Sequence, residues 1–268
     1  MQTNKTPHNQ MVSKYQNSPL YGEQQVYLWE GVTNLDISEN SQAYLQLYPR
    51  SKDCKFICTL LRNSQAKVFV YLYKLDNYQV KLEFNLHDNS EIETVCFVEK
   101  CQNLRLSQCI VLLGKHSTAI VRNACKTYGK EKIDIQTSQT HSAPRSISSI
   151  ETNSVLDGCA NINVSGVINV LESSHESTSD QYTKAITLSD DARVIMSPFL
   201  NILTNDIVCK HGAASGGLDE LTLLYAQSRG ISPAKSKEML ADGFIFSCFD
   251  NLKHPFWETH LTRVKENS

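Results

Sequence analysis

A chain of 268 residues with 41% hydrophobic and 20% charged residues can bury a substantial core, and it lacks the charge excess that keeps chains unfolded. Its 26 Lys and Arg against 28 Asp and Glu leave a formal net charge of -2, which excludes the broad basic footprint of a nucleic-acid or anionic-membrane binder. Nine cysteines, an odd number with no Cys-x-x-Cys pair, argue against a disulfide framework and a zinc ribbon, and most read as small reduced residues. No run approaches the roughly 18 apolar residues of a membrane span, and the opening MQTNKTPHNQMVSKYQ has no apolar block of a secretory signal, so a cytoplasmic location is expected.

Residues 1–42 are polar and mixed, with Tyr21, Val26, Leu28, Trp29 and Val32 as scattered apolar anchors, and read as an N-terminal arm or cap. From Ala43 the pattern becomes one of short strands. Lys67 to Tyr73 and Val80 to Leu86 show two-residue alternation or β-branched and aromatic runs, which put one side of each strand inward. Comparable segments follow at 93–98, 109–113, 119–121 and 132–137, with polar turns between them. A stretch this long with almost no helix excludes a doubly wound α/β sheet and leaves a sandwich, a closed barrel or a parallel β-helix.

Internal repetition favours the β-helix. Val155 to Ile162 and Thr187 to Val194 each place turn-forming residues between apolar ones and begin 32 residues apart, read here as more than one solenoid turn. The pattern changes again after residue 214. Leu218, Leu221, Leu224 and Tyr225 recur at helical spacing before Gly230, so a helix ends near Arg229. Ser232 and Pro233 read as the N-cap and first residue of a second helix whose apolar stripe is Met239, Leu240, Phe244 and Cys248. Phe256 and Trp257 either cap this hairpin or join an interface. The expected division is 1–42, a β-helix core at 43–214 and a helical region at 215–268.

The segment Ile207 to Leu218, with Cys209-Lys210-His211-Gly212-Ala213, followed by Ser228-Arg229-Gly230-Ile231, resembles the C-terminal core of the SufB/SufD family. So do His141-Ser142-Ala143-Pro144-Arg145-Ser146, Val155-Leu156-Asp157, Leu188-Ser189-Asp190 and Pro198 to Ile202. These elements lie within residues 130 to 250, and residues 1–120 resemble the family less clearly. The resemblance implies a right-handed parallel β-helix with C-terminal helices. It also implies a non-enzymatic scaffold subunit for iron–sulfur cluster assembly, paired with a SufB-like subunit and docking a SufC-type ATPase. Self-association is an open alternative.

The Cys-x-His-Gly form at Cys209 to Gly212 is similar to SufD-like members, and the functional cysteine of SufB-like members has no counterpart beside Gln181 and Tyr182. If the strand is extended, Cys209 and His211 share one face and Lys210 takes the other. A thiolate and an imidazole suit iron or an iron–sulfur cluster, but the pair cannot complete a coordination set, so any cluster is transient and its other ligands come from a partner. The resemblance assigns interface function to His211, a candidate metal ligand. Cys209 reads first as a small buried residue beside a turn, and His141 as a structural residue with Arg145 bonding turn carbonyls. Leu218, Leu221, Tyr225, Arg229, Met239 and Phe244 are the expected partner-docking residues of the helical region. Gly216 and Gly217 lack the Lys-Ser/Thr of a phosphate loop, so nucleotide binding belongs to a partner. Rival readings are a SufB-like scaffold carrying the nascent cluster and a polysaccharide-active β-helix enzyme, the latter disfavoured by the missing same-face carboxylate cluster.

Overall fold

The computed structural model describes residues 24–267, and its strands follow from one corner repeated along the chain. Asn40, Asn63, Asn89, His116, Arg145 and Glu176 all adopt φ between 54° and 58°, and each is followed directly by a serine. The hydroxyls of Ser41, Ser64, Ser90, Ser117 and Ser146 each donate to the carbonyl three residues back, which closes the turn before the next strand starts. Asparagine suits the left-handed position because its short amide tolerates it and bonds locally. Here the amides also stack: Asn89 donates to Asn63 Oδ1 at 3.1 Å, and Asn63 to Asn40 Oδ1 at 2.9 Å. Further along, Arg145 and Glu176 replace the amide ladder with a two-pronged ion pair at 2.8 and 3.3 Å, so Arg145 bonds a neighbouring coil's carboxylate and not turn carbonyls.

Thirteen parallel strands result. They are β1 (Gln24–Ile37), β2 (Gln42–Leu60), β3 (Gln65–Tyr73), β4 (Tyr78–Leu86), β5 (Glu91–Glu99), β6 (Asn103–Leu112) and β7 (Thr118–Thr127). After them come β8 (Lys132–His141), β9 (Ile147–Leu156), β10 (Asn161–Val170), β11 (Ser177–Thr187), β12 (Arg193–Ile202) and β13 (Ile207–Gly216). The hydrogen-bonded order β12-β10-β8-β6-β4-β2-β3-β5-β7-β9-β11-β13 is that of a flattened parallel β-helix: one wall holds even-numbered strands, the other odd-numbered ones, and the long β2 belongs to both. From β2 to β11 each strand bonds the one two places on in sequence, so side-chain columns run along the solenoid.

Alternation fills the lumen. In β4 every second residue from Val80 to Leu86 is buried, and these side chains meet Phe56, Leu60, Val68, Val70 and Leu72 in one continuous core. Strand β1 pairs with β2 along nearly its whole length, and its Trp29 is buried, so the first coil starts inside the segment expected to be an arm; Tyr21 lies outside the described residues. The 32-residue repeat is also redefined. Asn161 to Val170 register with Arg193 to Ile202, and Val155 with Ile186, which makes the spacing one complete coil of two strands and not more.

Three helices follow, α1 (Glu220–Ser228), α2 (Pro233–Ser247) and α3 (Pro255–Asn267). Asp219 Oδ2 caps α1 by accepting from the Thr222 amide, and, as expected, Ser232 accepts from the Lys235 amide with Pro233 at the first position of α2. Helix α2 lies on β7 and β9, and α3 on β3. Ala241, Ile245, Cys248 and Phe249 of the α2 segment, with Phe256, Trp257 and Val264 of α3, cover the outward-facing Phe69, Val95, Phe97, Ala124 and Val155. Burial on both faces is why Val95 to Val98 is a continuous apolar run. Phe256 and Trp257 therefore join the solenoid wall; Trp257 Nε1 donates to Glu93 at 3.0 Å, and His260 stacks on Phe69.

One ion pair fastens α2. Lys126, outward on β7 and buried beneath the helix, reaches Asp242 at 2.7 Å with the Phe246 ring 5.8 Å away. Removing the carboxylate strands a buried ammonium. Asp242→Ala is expected to lower stability by about 1–3 kcal/mol, less than a fully buried pair because Asp242 is partly exposed. The double variant with Lys126→Met should regain most of the loss, as read from urea unfolding midpoints. Equal midpoints for wild type and Asp242→Ala would show that the pair does not fasten the helix.

Candidate functional site

Strands β12 and β13 end the two walls, and among the described residues no strand pairs with their outer edges. Register extends the columns to this last layer. Cys209 continues Ser148 and Ser179, and His211 continues Ile150 and Gln181, all on the inward side. Cys209 and His211 therefore do share a face, and Lys210 points the other way. What would be a sealed core position one coil earlier is open here: Gln181 is buried, His211 is exposed and Cys209 is half-buried. On the outward sides of the same edge strands apolar groups are also exposed, Ile195 by 62% and Phe199 by 60% on β12 and Val208 on β13. Gly212 has its own reason, since a Cβ there would come 3.0 Å from the Tyr182 ring lying against the strand.

The Cys209 thiol sits at the end of a hydroxyl chain. His141, fully buried at the end of β8, has Nδ1 2.7 Å from Ser146 Oγ and Nε2 2.7 Å from Ser148 Oγ. Ser148 is 2.7 Å from Ser179, whose hydroxyl is hydrogen-bonded to Cys209. Partial burial raises the Cys209 thiol above the usual thiol range, the Asp180 carboxylate adds to this, and the Ser179 hydroxyl opposes it. Six other thiols are buried, whereas Cys109 is half-buried and Cys159 exposed: burial pushes Cys54 and Cys58 up to about 12 and Cys101 up to about 11, which keeps them protonated. Among the described residues, no three His, Cys, Asp or Glu side chains converge on a metal-sized site.

The residues expected to dock a partner are not equivalent. Leu221, Tyr225 and Met239 are exposed, with Leu221 at 76%, and Arg229 stacks on the Tyr225 ring at 5.2 Å while donating to its hydroxyl at 3.2 Å. Leu218 is half-buried where β13 passes into α1, and Phe244 packs against the solenoid wall with its carbonyl accepting from Asn153. Helix α1 touches α2 and rides clear of the solenoid, so the exposed row forms a second surface apart from the open end. The buried luminal amides Gln108, Asn123, Gln139 and Gln181 were not apparent from sequence, because each sits in a strand whose neighbours are also polar. The signal that would have found Asn123 and Gln181 is the serine corner, which sets the phase of β7 and β11.

Fold and site together define a parallel β-solenoid with one open end and an appended helical hairpin. The chain belongs to the family described as SUF system FeS cluster assembly, SufBD core domain, whose model matches residues 62–244. It is similar to the iron-sulfur cluster assembly protein SufD of Escherichia coli, 24% identical over 141 residues that make up 53% of this chain and 33% of that protein. Similarity extends to SufD of Bacillus subtilis, 25% identical over 117 residues, 44% of this chain and 27% of that protein. The chloroplastic protein ABCI7 of Arabidopsis thaliana is 33% identical over 79 residues, 30% of this chain and 17% of that protein. The chain thus matches a third or less of the length of each of these relatives.

His141 makes a pH prediction. Desolvation lowers its pKa from 6.5 to about 4, so the unfolded state binds the proton first as pH falls. The His141 contribution to stability is complete above pH 6.5 and is lost progressively down to about pH 4. The wild-type urea midpoint should fall from pH 7 to pH 4.5, and the difference should shrink in His141→Gln, whose own cost at pH 7 is about 1–3 kcal/mol from the two hydrogen bonds to Ser146 and Ser148 that are lost. The same pH slope in both proteins would remove His141 as its source.

Proposed function

We propose that the chain is a SufD-like, non-catalytic scaffold subunit for iron–sulfur cluster assembly, using its open solenoid end to meet a SufB-like subunit and its helical hairpin to dock a SufC-type ATPase. The observation that carries the reading is the last layer of the solenoid, where luminal positions holding Cys209 and His211 are left open and the edge strands expose the apolar Ile195, Phe199 and Val208. Repeat folds need their ends covered, because an open layer exposes both apolar side chains and unpaired main-chain groups. A partner solenoid supplies both kinds of cover.

The cluster is cargo here. Cys209 and His211 offer one sulfur and one nitrogen on the same face, so a partner completes the ligand set. The Cys-x-His-Gly form, the lack of a cysteine beside Gln181, and the SufD names of two relatives favour the SufD-like over the SufB-like subunit. Exposed Leu221, Tyr225 and Met239 on the hairpin fit a hydrophobic docking surface for the ATPase.

Anaerobic co-purification with SufB-type and SufC-type partners tests this reading. His211→Ala should give an assembled complex with reduced iron and sulfide. Leu221→Asp with Tyr225→Ala should lose the ATPase and keep the solenoid partner. Unchanged cluster content in His211→Ala would exclude His211 from assembly, and failure of the wild-type chain to retain either partner would overturn the scaffold role.

A further inference from the structure

Gln108, Asn123, Gln139 and Gln181 point into the lumen and are almost wholly buried. Each keeps polar atoms that find no partner among the described residues: Gln108 Nε2, Asn123 Oδ1, both Nε2 and Oε1 of Gln139, and Gln181 Oε1. They are contiguous. Gln108 and Asn123 face each other from β6 and β7, where Asn123 Nδ2 donates to Gln108 Oε1 at 2.9 Å and to Thr152 Oγ1 at 3.2 Å. Gln139 lies one coil on, in β8, and Gln181 one coil further, in β11, directly beneath His211. Polar groups thus occupy consecutive layers from mid-solenoid to the open end.

Several columns of the same layers carry smaller side chains. Along the columns of the even-numbered wall, Leu82, Phe84 and Leu86 of β4 give way to Gly166, Ile168 and Val170 of β10. On the facing wall Ile92, Cys96 and Val98 give way to Ser179, Thr183 and Ala185. Strand length does not shrink to compensate: β4 has 9 residues, β10 has 10 and β11 has 11. The spacing between coils is held by main-chain hydrogen bonds, so smaller side chains leave space that the walls cannot collapse to fill. The Gln181 side chain takes part of it, lying so close over Gly166 that a Cβ there would meet its Nε2 at 1.9 Å. A buried space that is both roomy and lined by unpaired donors and acceptors holds water, whereas an apolar one stays dry.

We infer that the lumen between Gln108 and Gln181 is a binding site for a file of ordered water molecules, with Gln139 as its centre because both of its amide atoms require a partner. The file bridges the amides of successive layers and ends beneath the Cys209 and His211 layer. The inference rests on the amides and the lumen, not on the proposed scaffold role.

Water-17O magnetic relaxation dispersion on the whole chain reads out long-lived internal water. Wild type should give a clear amplitude, Gln139→Leu should lose the equivalent of at least one molecule, and the outward-facing control Gln136→Leu should lose none. Should Gln139→Leu fail to fold, Gln108→Leu takes its place with the same expected loss. A crystal structure should show water oxygens at hydrogen-bonding distance from Gln139 Nε2 and Oε1. An amplitude unchanged by the luminal variant, or a crystal structure in which the amides bond only protein groups, would overturn the inference.

Discussion

Everything in this molecule depends on the parallel main-chain ladder that, from β2 to β11, joins each strand to the one two places on in sequence. Because the rungs are evenly spaced and the register is continuous, an inward position in one coil is inward in all of them. The ladder converts a local property, the two-residue alternation of a strand, into columns that run the length of the solenoid. A one-residue slip would move every luminal side chain to the outside, which the Phe56, Leu82 and Phe84 region forbids. The polar luminal residues further along are held inside by register set in the apolar coils, even though water would be the better solvent for them.

The same columns explain why chemistry collects at one end. Inside the solenoid, a residue at the position of His211 meets a neighbour on either side, as Ile150 and Gln181 do. At β13 one neighbour is missing. A half-buried thiol and an exposed imidazole on one face are consequences of termination. The hydroxyl chain from His141 through Ser148 and Ser179 ties that last layer to the interior by hydrogen bonds where apolar contact has thinned.

The helices divide the outer surface. By covering Phe69, Val95 and Phe97, α2 and α3 make a second core that β3, β5 and β7 share with the lumen, and Lys126 with Asp242 fixes α2 upon it. Helix α1 takes no part in this, and so Leu221 and Tyr225 stay in solvent. The open end and the exposed row of the hairpin are separate surfaces.

Much of this was legible in the residues. Alternation in Val80 to Leu86, the caps at Ser232 and Pro233, and the shared face of Cys209 and His211 are local properties of short stretches, and local properties survive folding. The coil period was less legible, because corners that share φ near 55° are occupied by Asn, His, Arg, Glu and Lys, and a serine follows only at the corners that lead into β2, β3, β5, β7, β9 and β11. The N-terminal boundary was misplaced because the apolar residues of β1 do not alternate regularly: the strand is held by pairing with β2 and its register shifts between Trp29 and Gly31, which composition does not report. The stripe of α2 was also displaced, with Ala241 and Ile245 buried and Met239 exposed, because the helix packs on a broad sheet wall and not into a narrow seam.

By itself, then, the sequence determined which residues alternate, where the chain turns and where the hairpin helices begin, since these depend on backbone dihedrals and near-neighbour hydrogen bonds. Only the tertiary structure decided which outward apolar residues are covered and which inward polar ones are sealed. Val95 and Ile195 are both apolar residues on the outer face of a strand, yet one lies under a helix and the other on an open edge. That difference belongs to the position of a coil within the stack.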